Sequence, residues 1–233
     1  MKRSVTTMIS DMQSRLTGFL SMMSYGYCQL CVKADPSSLL GFEEDINGIT
    51  ATIEQLAHIA THEEPENEDK LEVYPLQASN LPYIMKGIKN IHPEFKQSLE
   101  TYSNADKDDD SLESKYLRLT MPEVNDDRRD ILNTAIDALD TECKLKFDGI
   151  KVKYMAKITK ELINDDPKNL DEAKEEVDAL AEQFSQMRQQ LTDDKKKEVE
   201  EAYQRWLTKE GNKQAAKAQA IRHDAIGQSL RMD

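Results

Sequence analysis

From Val5 onward, apolar residues recur at Val5, Met8, Met12, Leu16, Phe19, Met23, Tyr27 and Leu30. Steps of three and four place them on one stripe and predict a helix of about seven turns. Asp35-Pro36 stops it, because the residue before a proline is driven out of the helical region. A second stripe follows Met121-Pro122 and the cap-like Asn125. It runs Leu132, Ile136, Leu139, Cys143, Phe147, Ile150, Tyr154, Ile158 and Leu162, and Asn164-Asp165-Asp166-Pro167 closes it. A third runs Val177, Leu180, Phe184, Met187 and Leu191, then Val199, Ala202 and Trp206. Asp171, Glu172, Glu175 and Glu176 crowd its first turns, where the helix dipole favours acids. Long helices with single apolar stripes can bury them only against one another, which predicts a three-helix bundle.

The stretch between the first two helices has another pattern. Segments 46–53, 71–75 and 116–120 are short and strand-like, broken by Asn47-Gly48, Pro65 and Pro75. Residues 81–91 predict one short helix, and the run 106–113, five of its eight residues acidic, predicts a solvated loop. The predicted fold class is α+β: an elongated three-helix bundle (1–33 plus 117–206) with a small, β-rich α/β domain (34–116) inserted between helices one and two. Residues 207–233 form a polar, mildly basic tail, helical or disordered.

Composition agrees with this layout. Only 8 glycines and 7 prolines in 233 residues disfavour a loop-rich all-β protein or a Gly-loop nucleotide binder. Against 31 Lys+Arg stand 44 Asp+Glu, a net charge of −13. Uniform acidity of that size would argue against nucleic acid or an anionic membrane as partner. The charge is not uniform. Residues 37–115 carry −11 and 164–206 carry −6, whereas 1–36 and 207–233 are each +2 and 126–163 balance. Nucleic acid is therefore disfavoured only for the insert and the third helix.

Catalytic motifs are sparse. Cys28-x-x-Cys31 is compatible with zinc or thiol redox chemistry, but no second Cys or His pair stands at ligand spacing. His58 and His62 are four apart without a metalloprotease pattern, and His92 and His223 are scattered. The two cysteines read best as small apolar residues on a helix, and no metal or cofactor is expected. There is no phosphate-binding Gly loop and no Ser or Cys nucleophile with a plausible His partner, so a non-enzyme is expected. No run of about eighteen apolar residues predicts a membrane span. Lys2, Arg3 and Arg15 against the single Asp11 weakly resemble an organellar presequence, yet the stripe from Val5 reads better as structure.

Two phrases at the joints of the insert are more specific. They are Lys33-Ala34-Asp35-Pro36-Ser37-Ser38-Leu39-Leu40 and Leu117-Arg118-Leu119-Thr120-Met121-Pro122-Glu123-Val124-Asn125-Asp126-Asp127-Arg128-Arg129-Asp130-Ile131-Leu132. Both resemble the ribosome recycling factor family, which has a Gly-Arg-Ala-x-Pro-x-Leu-Leu stretch after helix one and a Pro-containing, Arg-Arg-containing stretch entering helix two. The resemblance covers about residues 5–206. It implies a factor that binds large-subunit ribosomal RNA after termination and helps a translocation GTPase of the elongation factor G type to separate the subunits. Implied RNA contacts are Lys33, Arg118, Arg128, Arg129, Lys144, Lys151, Lys153 and Lys157, with Pro36 and Pro122 as hinges. Arg128 and Arg129 could instead pair with Asp126, Asp127 and Asp130, and the lysines could simply be a solvated face.

One departure matters. Where the family carries an Arg-Asn-(Ile/Val)-Arg-Arg-like phrase in helix two, this chain reads Asp148-Gly149-Ile150-Lys151-Val152-Lys153. Asp148 repels phosphate, and Lys lacks the bidentate fork of Arg. RNA binding is thus expected to be weaker than the family norm. A ribosome-associated assembly or structural role, with the acidic insert and tail holding ribosomal or assembly proteins, is the alternative. A longer, drifted copy implies a mitochondrion, with plastid or bacterial cytoplasm as alternatives.

Overall fold

The structure is a computed structural model that describes residues 3–46, 48–61, 69–103 and 111–229, with side chains to residue 214. In chain order its elements are α1 (Arg3–Gln29), β1 (Glu43–Ile46), β2 (Ile49–Thr52), α2 (Ile53–Leu56), β3 (Ala57–Thr61), β4 (Lys70–Pro75), α3 (Leu81–Ile91), β5 (Lys96–Thr101), β6 (Lys115–Thr120), α4 (Asp126–Glu161) and α5 (Pro167–Ser229).

The helices α1, α4 and α5 pack side by side over one core. Val5, Met12 and Leu16 of α1 meet Ile136, Phe147 and Tyr154 of α4 and Val177, Phe184 and Val199 of α5. The expected stripes supply most of this core. Met8, Phe19, Leu30 and Leu139 lie at its edge, while Ile9 takes an inner position. Asn125 caps α4 by accepting the Arg128 backbone N–H at 2.9 Å, and Asp126 and Asp127 occupy the first turn. A buried polar network ties the three helices together. Tyr27 Oη of α1 lies 3.0 Å from Thr192 Oγ1 of α5. Thr192 Oγ1 donates to Asp140 of α4 at 2.9 Å, and Asp140 also pairs with Arg188 of α5.

α5 is one helix of 63 residues, about 95 Å long at 1.5 Å per residue. The backbone of the expected tail is therefore helical as far as Ser229. Its Ala, Lys, Gln and Arg residues are strong helix formers, and no proline interrupts them.

In the insert, four antiparallel strands form one sheet in the order β3-β4-β6-β5, and β1-β2 form a separate hairpin. The expected strand-like segment at 46–53 is mostly β2 (Ile49–Thr52), with Ile46 ending β1 and Ile53 beginning α2. Gly48, at φ +84°, makes the reversal, and its N–H donates to the Asp45 carboxylate at 2.8 Å. Strands β4 and β6 match expectation, whereas β3 and β5 were not foreseen. The reason is position: β4 and β6 are central and bury Leu71, Val73, Leu117 and Leu119, but β3 and β5 are edges with little burial pattern. Most of the acidic run lies outside the described residues; its end, Leu112–Ser114, is a 3-10 turn.

Leu81, Ile84 and Ile88 of α3 cover one face of the sheet. Gly87 is required there, because a Cβ would run into the Phe42 ring. Two connections cross between the cores. On the first, Cys31 belongs to the insert core and Val32 to the bundle core; on the second, Met121 belongs to the insert and Val124 to the bundle. Leu117 and Leu119, in the central strand, likewise pack with the insert.

Candidate nucleic-acid interface

The expected cations are distributed unevenly, and several hold the protein together. Arg118 sits on the sheet face away from α3. It pairs with Glu72 at 2.9 Å and Glu100 at 3.4 Å, opposite Glu72 in the β4–β6 register. Tyr74, Tyr102 and Tyr116 stack around this group with centroids 5.0–6.0 Å apart. The Glu72 carboxylate accepts from Tyr74 and pushes that phenol up to about 12. No sequence motif announced the cluster; it exists because the sheet register brings five strand residues and Tyr102 together.

Arg128 and Arg129 also have internal partners, though not the aspartates beside them. Arg128 Nη2 donates to the Cys31 carbonyl at 2.8 Å, and burial pulls its basicity down. Arg129 pairs with Glu200 of α5 at 3.0 Å and lies 4.5 Å over the Tyr203 ring. Tyr203 Oη in turn donates to Asp126 at 2.6 Å. The Arg-Arg phrase thus fastens the start of α4 to the end of α1 and to α5.

The joint itself is shaped by its prolines. Pro36 opens the 3-10 turn Pro36–Leu39, which Asp35 caps by accepting the Ser37 N–H at 2.8 Å. Pro122 and Lys33 line a crevice of about 80 Å³ together with Met121 and Trp206. Tyr25 Oη and Gln29 Nε2 each donate to the Leu40 carbonyl at 3.2 Å, bridging α1 to the insert.

The remaining cations lie on α4. Between residues 144 and 160 stand six lysines and one acid, Asp148. Lys144 and Lys153 are exposed, Lys151 pairs with Asp178 at 2.8 Å, and Lys157 lies 4.7 Å over the Tyr154 ring. The N-terminal half is opposite in sign, with six acids and two arginines over 126–142.

Down the outward face of α4 and just past its end runs an apolar line. Ile131, Leu145, Val152 and Ile163 are 68%, 66%, 69% and 72% exposed, and Ala138, Gly149 and Ala156 lie between them. Helical spacing puts all of them about opposite the buried stripe. The spacing of seven from 131 to 152 was legible in the sequence, but the equally regular buried stripe on the same helix obscured it.

Fold and joints together define a class of protein: a three-helix bundle carrying a small sheet domain on two connections. The ribosome recycling factor has this fold. Its solution structure superposes with a TM-score of 0.66 at 15% identity, covering 86% of this chain and 100% of that one. A model of the T. thermophilus ribosome recycling factor, with E. coli elongation factor G bound to the E. coli post-termination complex, gives 0.53 at 18% identity, covering 84% and 98%. No family model matches the sequence, and no curated protein matches it significantly.

Proposed function

We propose that this chain acts as a recycling-factor-like protein on the post-termination ribosome. Its α4 would lie against large-subunit rRNA, and a translocation GTPase of the elongation factor G type would displace the insert. The role is binding and displacement, with no bond made or broken by the protein. The observation that supports it is the match over the whole length of a recycling factor, joints included. Lys144, Lys151, Lys153 and Lys157 are the cations best placed to neutralise phosphates, with Lys33 at the joint. Arg118, Arg128 and Arg129 support them by holding the insert and the start of α4 in place. Pro36 and Pro122 would frame the hinge. The drifted helix-two phrase favours a mitochondrial ribosome as the target.

The apolar line on α4 supports a second reading, in which the same face docks on ribosomal or assembly proteins and the chain serves as an assembly or structural component. Splitting of purified post-termination ribosomes with the GTPase tests the first reading. Subunit separation above the GTPase-only level is expected. Stable binding without any separation would transfer the case to the second.

A further inference from the structure

We propose that the outward face of α4 pairs with the same face of a second copy of this chain, the two helices running antiparallel and centred near Phe147. From Ile131 to Ile163, every residue within about 40° of the outward direction is Ile, Leu, Val, Ala, Gly or Thr. In a chain that is 32% charged, a helix face about 50 Å long without one charge is not an ordinary solvated face. Ile131, Ala138, Leu145 and Val152 recur every seven residues. Gly149, Ala156 and Ile163 recur the same way, offset by four, which makes the two-position seam that a partner helix fits.

The charges of α4 select the occupant and its direction. Its half 126–142 holds six acids and two arginines, and its half 144–160 holds six lysines and one acid. Parallel copies would set like halves side by side, whereas antiparallel copies set each acidic half against a lysine-rich half. Centred near Phe147, the pair brings Glu142 level with Lys153 of the second copy, on one flank of the seam. On the other flank it brings Asp148 level with Lys144 of the second copy. None of these four has an ion pair among the described residues, whereas Asp137, Asp140 and Lys151 of the same helix do.

Gly149 points to the same register. A glycine inside a helix costs about 1 kcal/mol against alanine. Here a Cβ would meet nothing within 4 Å, so no contact within the chain calls for the glycine. In the pair, Leu145 of each copy comes opposite Gly149 of the other, and the missing Cβ makes room for the leucine. Ala138 comes opposite Ala156, which lets the backbones approach, and Ile131 opposite Ile163 closes each end. Long-range charge agrees. The insert carries −11 over residues 37–115, and both of its connections lie at the start of α4. Antiparallel copies hold their inserts at opposite ends, about 60 Å apart and well beyond a screening length of about 8 Å. The paired face takes in the flanking Lys144 and Lys153, so this dimer and a chain bound to rRNA through α4 exclude one another.

Sedimentation equilibrium of the full chain should show monomer and dimer exchanging in the micromolar range. Leu145→Lys with Val152→Lys should weaken association more than about 30-fold with Tm unchanged, because side chains at the centre of an interface carry most of its energy. Glu142→Lys and Lys153→Glu should each weaken it severalfold, and the two together should restore it, since the swap reverses both ends of one pair. In a Cys28→Ser background, Ile131→Cys and Ile163→Cys proteins should form a disulfide-linked dimer when mixed and oxidised, and neither should do so alone. A monomer throughout the micromolar range, or a dimer that survives Leu145→Lys with Val152→Lys, would overturn the proposal. So would a charge swap without recovery, or Ile131→Cys cross-linking to itself. None of these readouts involves the ribosome, so they stand apart from the recycling reading.

Discussion

Asp140 and Arg188 pair inside the bundle, where Thr192 and Tyr27 complete their hydrogen bonds. Removing one member strands the other in a poorly solvated site. Asp140→Ala should therefore cost about 3 kcal/mol in urea unfolding, whereas Asp140→Leu with Arg188→Leu should recover most of the loss. Asp35 acts at the surface of the joint. The Ser37 side chain and backbone N–H, donating to it, hold its carboxyl below the ordinary value of 3.8. A depressed carboxyl contributes stability above its unfolded pKa, and that contribution disappears as pH falls through the lower folded value. Wild-type stability should thus decline below about pH 4 partly through this cap. The Asp35→Ala variant should lack that component and start about 1 kcal/mol lower. Cys143 is a third case. Burial pushes its thiol up to about 11, so alkylation at pH 8 should reach it only on unfolding, as followed by mass spectrometry.

At the scale of elements, α4 carries two apolar faces with different work to do. The inner face makes the bundle core; the outer one, through Leu145 and Val152, touches solvent. Leu145→Lys with Val152→Lys should leave Tm within the range of about 0.5 kcal/mol that surface changes produce. If the face docks on protein, the same variant should lose ribosome association in sedimentation; if it docks on RNA phosphate, association should rise. The sheet teaches a related lesson. Its central strands were legible because burial imposes a pattern on them, and its edge strands were not, because half of their groups face solvent or a loop.

For the whole molecule, the charge distribution decides what kind of binding is possible. An overall −13 coexists with a lysine-rich half of α4, because the acids are concentrated in the insert and α5. Four phosphate-facing lysines would give a log–log salt slope of about −3 to −4 for ribosome association, steep enough to measure by pelleting. Asp148→Arg should tighten that association severalfold; an unchanged affinity would remove α4 from the RNA. Arg128 and Arg129 show why the candidate site was only partly legible. Their motif was visible in the sequence, but their partners, Cys31, Glu200 and Tyr203, come from other parts of the chain.

The sequence by itself determined the three helices, the Asn125 cap and the insertion of a sheet domain, although α1 ends at Gln29, ahead of the expected stop at Asp35-Pro36, and Pro167 opens α5 after α4 has ended at Glu161. These depend on local periodicity and backbone restriction, which neighbouring residues dictate. Tertiary structure alone decided which cations are bound internally and which face outward. It also decided where one core gives way to the other. Such contacts join residues far apart in the chain, and no spacing along the sequence records them.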